Sequence, residues 1–169
     1  RAELAQVDEG LDLALLRITR ELDGRLIAQG SLPALPFVEL ADSSSVSIDD
    51  NLVIVGYPDI NNEPVVETRG TVTAFIAEPR GGSRSWFKTR ATIPGSMSGG
   101  GAYNTQGQPV GIPTTAPTSA SNNNSSCKLL GDSNQDGFIN NNDQCIPIGD
   151  FISSIRPANF ASILIRGAS

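Results

Sequence analysis

The sequence predicts an all-β fold that ends in a helix, and its composition supports this. Among 169 residues there are 17 Gly and 11 Pro, aromatic residues make up 5%, and apolar runs are short. Short strands joined by turns have this composition. The length is typical of one domain with a sizeable core.

Charge and hydropathy exclude two classes of partner. The formal net charge is −6, so we expect no nucleic-acid or anionic-lipid surface. No apolar run reaches the ~20 residues of a transmembrane helix, so no membrane span is expected.

The first predicted elements are two strands at residues 2–7 and 13–18. Asp8-Glu9-Gly10 between them is a turn signal. Apolar residues occupy both the odd and the even positions of the second run, which predicts a strand covered on both faces. Residues 19–36 are turn-rich and contain prolines, as expected of a linker to a second body.

The second body is predicted to contain short strands up to a helical end. Alternating apolar residues and flanking turn signals predict strands at 37–40, 52–57, 65–77 (broken near Gly70), 86–92, 102–104, 109–114 and 145–148. Asp150 is the expected N-cap of a helix over 151–155, and Pro157 precedes a second helical stretch over 158–165.

The segment around Ser98 carries the first chemical signal. A Pro94-Gly95 turn precedes Ser98, and three glycines follow it. Glycines allow backbone to approach a ligand closely, which a serine nucleophile needs because its target carbonyl must lie against main-chain N–H donors. A Gly/Ser-rich surface loop is the alternative interpretation.

Asp12 is the second candidate. It directly precedes the strand at 13–18, where a carboxylate could orient an imidazole. A solvated turn aspartate would have the same sequence context.

Several segments keep a common order and spacing. They are Asp12-Leu13-Ala14-Leu15-Leu16-Arg17-Ile18, residues 52–58, 69–73 and 88–93, Ser98-Gly99-Gly100, residues 108–114, and 146–148. This series resembles the trypsin-like serine proteases, in particular the bacterial Deg/HtrA branch. The resemblance covers about residues 1–114 and 145–165. It implies a double β-barrel, with 1–32 as the end of the first barrel and linker, 33–116 as the second barrel, 117–145 as an insertion, and 146–169 as the last strand and helix.

The resemblance also implies a role for each site residue in a secreted serine endopeptidase. Ser98 would form the acyl-enzyme, and Asp12 would hold an imidazole. The N–H groups of Ser96 and Ser98 would form the oxyanion hole, Ile112, Pro113 and Thr114 would bind the polypeptide substrate backbone, and Thr92 would form the base of a pocket for small or apolar side chains.

The chain departs from that family in three places. It contains no histidine, so we expect the base and the rest of the first barrel on an N-terminal portion or a second chain, and we expect this chain alone to be inactive. Ser96 replaces the usual glycine, and Met97 replaces the usual Asp or Asn. These changes favour the alternative, a catalytically inactive protease-fold module that binds or supports an extracellular assembly.

Residues 132–143, Asp-Ser-Asn-Gln-Asp-Gly-Phe-Ile-Asn-Asn-Asn-Asp, form a separate motif. Oxygen ligands at positions one, three, five and twelve, glycine at six and a carbonyl at seven suit Ca²⁺. The motif resembles dockerin or thrombospondin-type calcium loops and predicts a structural site. A disordered Asn/Asp-rich loop is one alternative, and a calcium-dependent adhesion module is another. The predicted ligands are Asp132, Asn134, Asp136, Phe138 and Asp143.

Two cysteines frame this motif. Cys127 and Cys145 are an even pair in a polar segment, which favours a disulfide and an oxidising compartment. The protein is therefore expected to be secreted, on the cell surface or periplasmic. Because the insertion precedes the predicted strand at 145–148, we also expect calcium to order the substrate cleft.

Overall fold

A computed structural model describes residues 1–28, 35–57, 65–78, 81–114, 118–119, 127–129, 136–147 and 151–167. The fold is mostly β-strand with a C-terminal helix, which confirms the predicted class. The strands are β1 (Ala2–Asp8), β2 (Leu13–Ile18), β3 (Asn51–Gly56), β4 (Val66–Glu78), β5 (Gly82–Pro94), β6 (Gly101–Tyr103), β7 (Pro109–Pro113), β8 (Thr118–Ser119), β9 (Cys127–Leu129), β10 (Gln144–Pro147) and β11 (Phe151–Pro157), and the helix is α1 (Ala158–Gly167).

Six strands close into an antiparallel barrel in the order β11-β5-β4-β3-β6-β7. Closure removes open sheet edges and directs alternate side chains inward. The barrel core includes Ile54, Phe87, Ile93 and Ile155, each with no exposed surface. These residues come from β3, β5 and β11, so the core depends on strands far apart in sequence.

Strands β1 and β2 form a separate two-stranded antiparallel sheet. Leu13 is buried, but Leu16 is 62% exposed and Ile18 is 47% exposed. Within the described chain residues 13–18 are therefore not covered on both faces, since β1 and helix α1 are their main packing partners. Cover by strands from elsewhere stays a prediction.

The largest difference from the predicted elements lies near the C-terminus. Residues 151–157 form strand β11 instead of a helix over 151–155. Pairing with β5 on one side and β7 on the other satisfies the backbone N–H and C=O groups of this segment better than an isolated helical turn would. Asp150, the expected N-cap, lies outside the described residues. The helix begins at Ala158, as the position of Pro157 predicts.

Three further expectations change. Residues 37–40 form no strand. Strand β4 runs without a break through Gly70, where a Cβ would collide with the backbone of Ala91 on the crossing strand β5. Strand β10, which covers most of the predicted strand at 145–148, pairs with β8 and β9 and lies outside the barrel.

Helix α1 contacts β7 of the barrel and both strands of the β1–β2 sheet. No helix in the described ranges has the length and hydropathy of a membrane-spanning segment.

Candidate active site

Ser98 lies at the junction between β5 and β6. Strand β5 ends at Pro94, a single 3-10 turn spans Gly95–Met97, and Ser98 follows with an exposed side chain. Ser98 lines a groove of about 440 Å³ together with Ser96 and Ile112. The structure thus brings three of the predicted site residues to one concave surface. The groove is otherwise lined by the glycines after Ser98 and by apolar groups, among them Leu40, Val55, Tyr57 and Tyr103.

The glycines after Ser98 have two separate causes. Gly99 has φ +82°, a left-handed conformation that side chains with a Cβ rarely adopt. At Gly100 a Cβ would collide with the carbonyl oxygen of Val55 in β3. One glycine therefore makes the turn, and the next lets the loop lie against the barrel wall.

Met97 anchors this loop in the barrel core. Its side chain is 1% exposed and belongs to the main apolar cluster. A Cβ built on Gly56 would lie 2.9 Å from the Met97 Cβ, so β3 carries a glycine where Met97 enters. In the sequence, Met97 stood out only as a replacement for the usual Asp or Asn. In the structure the residue before Ser98 is held by apolar packing instead.

The N–H group of Ser98 is already used within the turn. It donates to the carbonyl of Gly95 at 3.1 Å, which closes the 3-10 turn. The predicted oxyanion hole of Ser96 and Ser98 needs that N–H to point at a ligand. The Gly95–Ser96 peptide would have to rotate before the hole could form. Ser96 itself is exposed.

Asp12 occupies the turn before β2 with φ +54°, an uncommon left-handed conformation that aspartate tolerates better than most residues. Its Oδ2 accepts a hydrogen bond of 2.5 Å from the Oγ1 of Thr114. Thr114 is 2% exposed, and its N–H donates to the carbonyl of Ser154 at 3.2 Å. The sequence assigned Thr114 only to substrate binding, and its contact with Asp12 was not predicted.

Two adjacent residues link Asp12 to the Ser98 loop. Thr114 bonds to Asp12, and the carbonyl of Pro113 accepts the N–H of Gly99 at 2.9 Å. The end of β7 therefore bonds both to the Asp12 carboxylate and to the residue after Ser98, although Asp12 and Ser98 are separated by 86 positions in the printed sequence (98 − 12).

The remaining predicted substrate residues lie in or near this region. Ile112 and Pro113 belong to β7 and pair with Arg156 and Ile155 of β11. Thr92 is exposed on β5 and does not line the groove that contains Ser98. The roles of these residues stay predictions.

The described part of the calcium motif begins at its fifth position. The Oδ1 of Asp136 accepts the N–H of Phe138 at 2.9 Å, and Gly137 at position six has φ +88°. Asp143 is 1% exposed, and its Oδ2 accepts the N–H of Asn140 at 2.8 Å. Two predicted ligands, Asp132 and Asn134, lie outside the described residues. The described residues contain no group of three or more His, Cys, Asp or Glu that could hold a metal.

The two cysteines lie on neighbouring strands. Strands β9 and β10 are antiparallel, with Cys145 opposite Leu129 and Cys127 opposite Pro147. The predicted disulfide would therefore connect a diagonal pair.

Comparison with known proteins adds a family and a fold. The profile of the trypsin-like peptidase domain matches residues 1–112. The solved HtrA-type protease AlgW with a decapeptide is similar at 21% identity and a TM-score of 0.61, covering 99% of this chain and 40% of that chain. The serine endoprotease from Yersinia pestis is similar at 20% identity and a TM-score of 0.60, covering 99% and 43%. No curated protein matches.

These similarities confirm the predicted trypsin-like fold, a six-stranded barrel followed by a C-terminal helix. The chain spans only about two fifths of the length of the two solved proteins, since the matches cover 40% and 43% of their chains.

Proposed function

The chain belongs to the trypsin-like peptidase domain family, and from that premise we propose that it is a serine endopeptidase domain that hydrolyses polypeptides through an acyl-enzyme on Ser98. The observation that carries the proposal is the linkage at the end of β7. Thr114 bonds to the Asp12 carboxylate while Pro113 bonds to the residue after Ser98. A buried hydroxyl aimed at a carboxylate fixes its orientation, as expected for a group that must orient an imidazole.

The proposed reaction uses these two residues together with a supplied imidazole. An imidazole between Asp12 and Ser98 takes the Oγ proton as Oγ attacks the substrate carbonyl carbon. The tetrahedral intermediate collapses, the C–N bond breaks, and the imidazolium protonates the leaving amine. Water then attacks the acyl-enzyme with the same imidazole as base, which releases the acid and restores Ser98.

The imidazole must come from another segment or chain, because this sequence contains no histidine. The exposed faces of β1 and β2 support this part of the proposal. Their apolar side chains, including Leu4, Val7, Leu16 and Ile18, lie 47–62% exposed. Additional strands packed there would cover them and could bring a histidine to Asp12.

Polypeptides are the proposed substrate class. AlgW has been solved with a decapeptide and with a tripeptide. Among the described residues, those that line the groove beside Ser98 are uncharged, and several of them are apolar. Small or apolar substrate side chains suit such a groove better than charged ones.

The competing proposal is a catalytically inactive binding or structural module. The bond from the Ser98 N–H to the Gly95 carbonyl favours it, because that carbonyl would oppose an oxyanion. Ser96 adds a Cβ at the peptide that must rotate.

Fluorophosphonate labelling separates these proposals. Natively purified protein is labelled and mapped by peptide mass, with Ser98→Ala as the negative control and Ser96→Ala as a matched loop control. Label on Ser98 means an activated serine and hence a supplied histidine. No label on folded protein would contradict the endopeptidase proposal and favour the binding module.

We also propose a structural calcium site in residues 132–143. The left-handed Gly137 and the Asp136–Phe138 turn are compatible with positions five to seven of such a loop. Terbium luminescence on the intact chain tests it. Asp136→Ala should abolish the signal, while Asn141→Ala, at a position with no expected ligand, should leave it unchanged. Loss in both variants, or in neither, would contradict the site.

The disulfide and an extracellular or periplasmic location are part of the same proposal. Peptide mapping without reduction should yield one cross-linked pair containing Cys127 and Cys145. Two alkylatable thiols in natively purified protein would contradict both the bridge and the oxidising compartment.

A further inference from the structure

Arg156 is a fully buried cation at the junction between the barrel and the β1–β2 sheet. Its side chain has no exposed surface, and its guanidinium carbon lies 3.5 Å from the ring centroid of Trp86. Its Nη1 donates to the carboxylate of Glu78 and, at 3.1 Å, to the carbonyl of Ser85. The Trp86 Nε1 donates to the same carboxylate at 2.8 Å. Arginine, tryptophan and glutamate thus form one hydrogen-bonded and stacked cluster at the junction between the barrel and the β1–β2 sheet.

One contact of Arg156 leaves the barrel. Its Nε donates at 2.9 Å to the carbonyl of Leu11, which lies 145 positions away in the turn between β1 and β2. The other side of this turn is also held, since the Leu11 N–H donates to Oδ1 of Asp8 at 3.0 Å and the Asp12 N–H to the carbonyl of Glu9 at 3.3 Å. Arg156 therefore fixes the peptide that directly precedes Asp12.

The same strand also holds the hydroxyl partner of Asp12. Ser154, two positions before Arg156, accepts the N–H of Thr114, whose Oγ1 bonds to Asp12. Strand β11 thus controls both the backbone before Asp12 and the donor to its carboxylate. Asp12 keeps its left-handed φ between these two supports.

We propose that Arg156 is a positioning residue for Asp12, acting through the Leu11 carbonyl. This inference rests on the proposed function for the role of Asp12, but the structural link itself does not depend on catalysis. Arginine suits the position because its planar guanidinium presents Nε and Nη donors in fixed, different directions. Nη1 donates to the Glu78 carboxylate, while Nε donates to the Leu11 carbonyl.

Burial of such a cation is unfavourable without compensation. Burial lowers the pKa of Arg156, while the hydrogen bond and charge of Glu78, and the charges of Asp12 and Asp8, oppose that shift. Within the described residues Nη2 has no hydrogen-bond partner. An apolar side chain would fill this space without such costs, but it could not hold the Leu11 carbonyl.

Amide hydrogen exchange of the intact chain tests the link directly. In Arg156→Met, exchange in a peptide covering residues 9–13 should rise by about tenfold, the effect expected for one lost hydrogen bond to a charged donor. Arg156→Lys keeps a charge beside Glu78 but lacks Nε, so it should fold and still show the faster exchange. Arg84→Met is the matched control, because Arg84 also stacks on an aromatic ring and donates to a carbonyl, that of Val46.

The second measurement is the pH dependence of Ser98 labelling in the native, histidine-containing assembly. The Asp12 carboxylate should raise the imidazole pKa. Displacement of Asp12 should therefore lower the pH at which labelling is half-maximal (the labelling midpoint) in both Arg156 variants. A general loss of stability would reduce the labelled amount without moving the midpoint.

Faster exchange at 9–13 and a lower midpoint in the Arg156 variants alone would support the proposal. Unchanged exchange at 9–13, or an equal rise in Arg84→Met, would overturn it. If exchange rises as expected but no protein labels at Ser98, the Arg156 link stands and the endopeptidase proposal fails.

Discussion

The barrel and the β1–β2 sheet differ in how each positions its predicted catalytic residue. Ser98 belongs to a closed barrel, and its loop is fixed by the buried Met97 and by close backbone approach at Gly100. Asp12 belongs to a two-stranded sheet in which Leu13 is the buried apolar residue. An isolated pair of strands is at best marginally stable in water.

Asp12 is held within its own turn by Glu9, and it obtains its remaining contacts from the barrel. The contacts are made by Thr114 to its carboxylate and by Arg156 to the preceding peptide. The scaffold of the nucleophile is self-contained, whereas the orienting carboxylate is placed by side chains of the other unit. The predictions below test this division.

The first prediction compares one apolar side chain from each region. Phe87→Ala should lower the free energy of unfolding by about 3–5 kcal/mol, because it leaves a cavity in the barrel core. In the printed chain without further strands, Leu16→Ala, at a 62% exposed position of β2, should change it by no more than about 0.5 kcal/mol. Urea unfolding followed by the fluorescence of Trp86 measures both. Similar losses would mean that the sheet is buried in solution as deeply as the barrel.

The second prediction concerns the anchor of the Ser98 loop. Met97→Ala should cost about 2–5 kcal/mol of stability, since a side chain with 1% exposure leaves the core. Met97→Leu keeps most of the volume and should cost less than about 1.5 kcal/mol. Hydrogen exchange should rise at residues 95–100 in Met97→Ala and stay unchanged at 9–13. Loosening at both places would show that the two regions are not independent.

The third prediction removes the hydroxyl that joins the two regions. Thr114→Val keeps the volume but leaves the Asp12 carboxylate without this donor, and we expect a loss of about 1 kcal/mol because partly exposed Asp12 can recover water. Thr114→Ser retains the donor and should stay closer to the wild type. Chemical unfolding gives the difference between the two variants. A Thr114→Val protein that is more stable than Thr114→Ser would argue against a useful bond to Asp12.

Local patterns were sufficient to predict most of the barrel strands. The alternation and turn signals that predicted a strand at 52–57 correspond to β3 at Asn51–Gly56. The same reasoning failed at residues 151–155, because the short run Phe-Ile-Ser-Ser-Ile has no decisive period. Its strand conformation depends on β5 and β7, whose pairing with it cannot be seen from the run itself.

The candidate site shows the same limit. Ser98 and Asp12 stand out because each sits in a local motif. Their supports do not, since Thr114 lies 102 positions from Asp12 and Arg156 lies 145 positions from Leu11. Contacts of that range follow from barrel closure and strand register. The spacing of residues along the sequence does not predict these contacts.

The smallest expected effect concerns helix α1, which contacts both regions. Asn159 Nδ2 donates to Asp42 Oδ1 at 2.8 Å, and the Ser44 N–H donates to the same oxygen at 2.9 Å. These bonds, that of Asn159 first, lower the pKa of Asp42 from 3.8 to about 2. A lowered carboxyl pKa stabilises the fold at pH values above 3.8, and this contribution is lost as the pH falls through about 2.

Thermal unfolding between pH 5 and pH 2 measures this contribution as a difference between the wild type and Asp42→Asn. The variant keeps an acceptor oxygen but cannot titrate, so the gap in Tm should narrow as the pH falls. Subtraction removes other acid groups, such as Asp23, whose pKa is also lowered, by its bonds with Arg25. If the bond between Asn159 and Asp42 holds helix α1 in place, the acid-induced loss should raise exchange at β1 and β2, which α1 contacts, before β3. A gap that stays constant with pH would show that the Asp42 charge does not hold the helix in place.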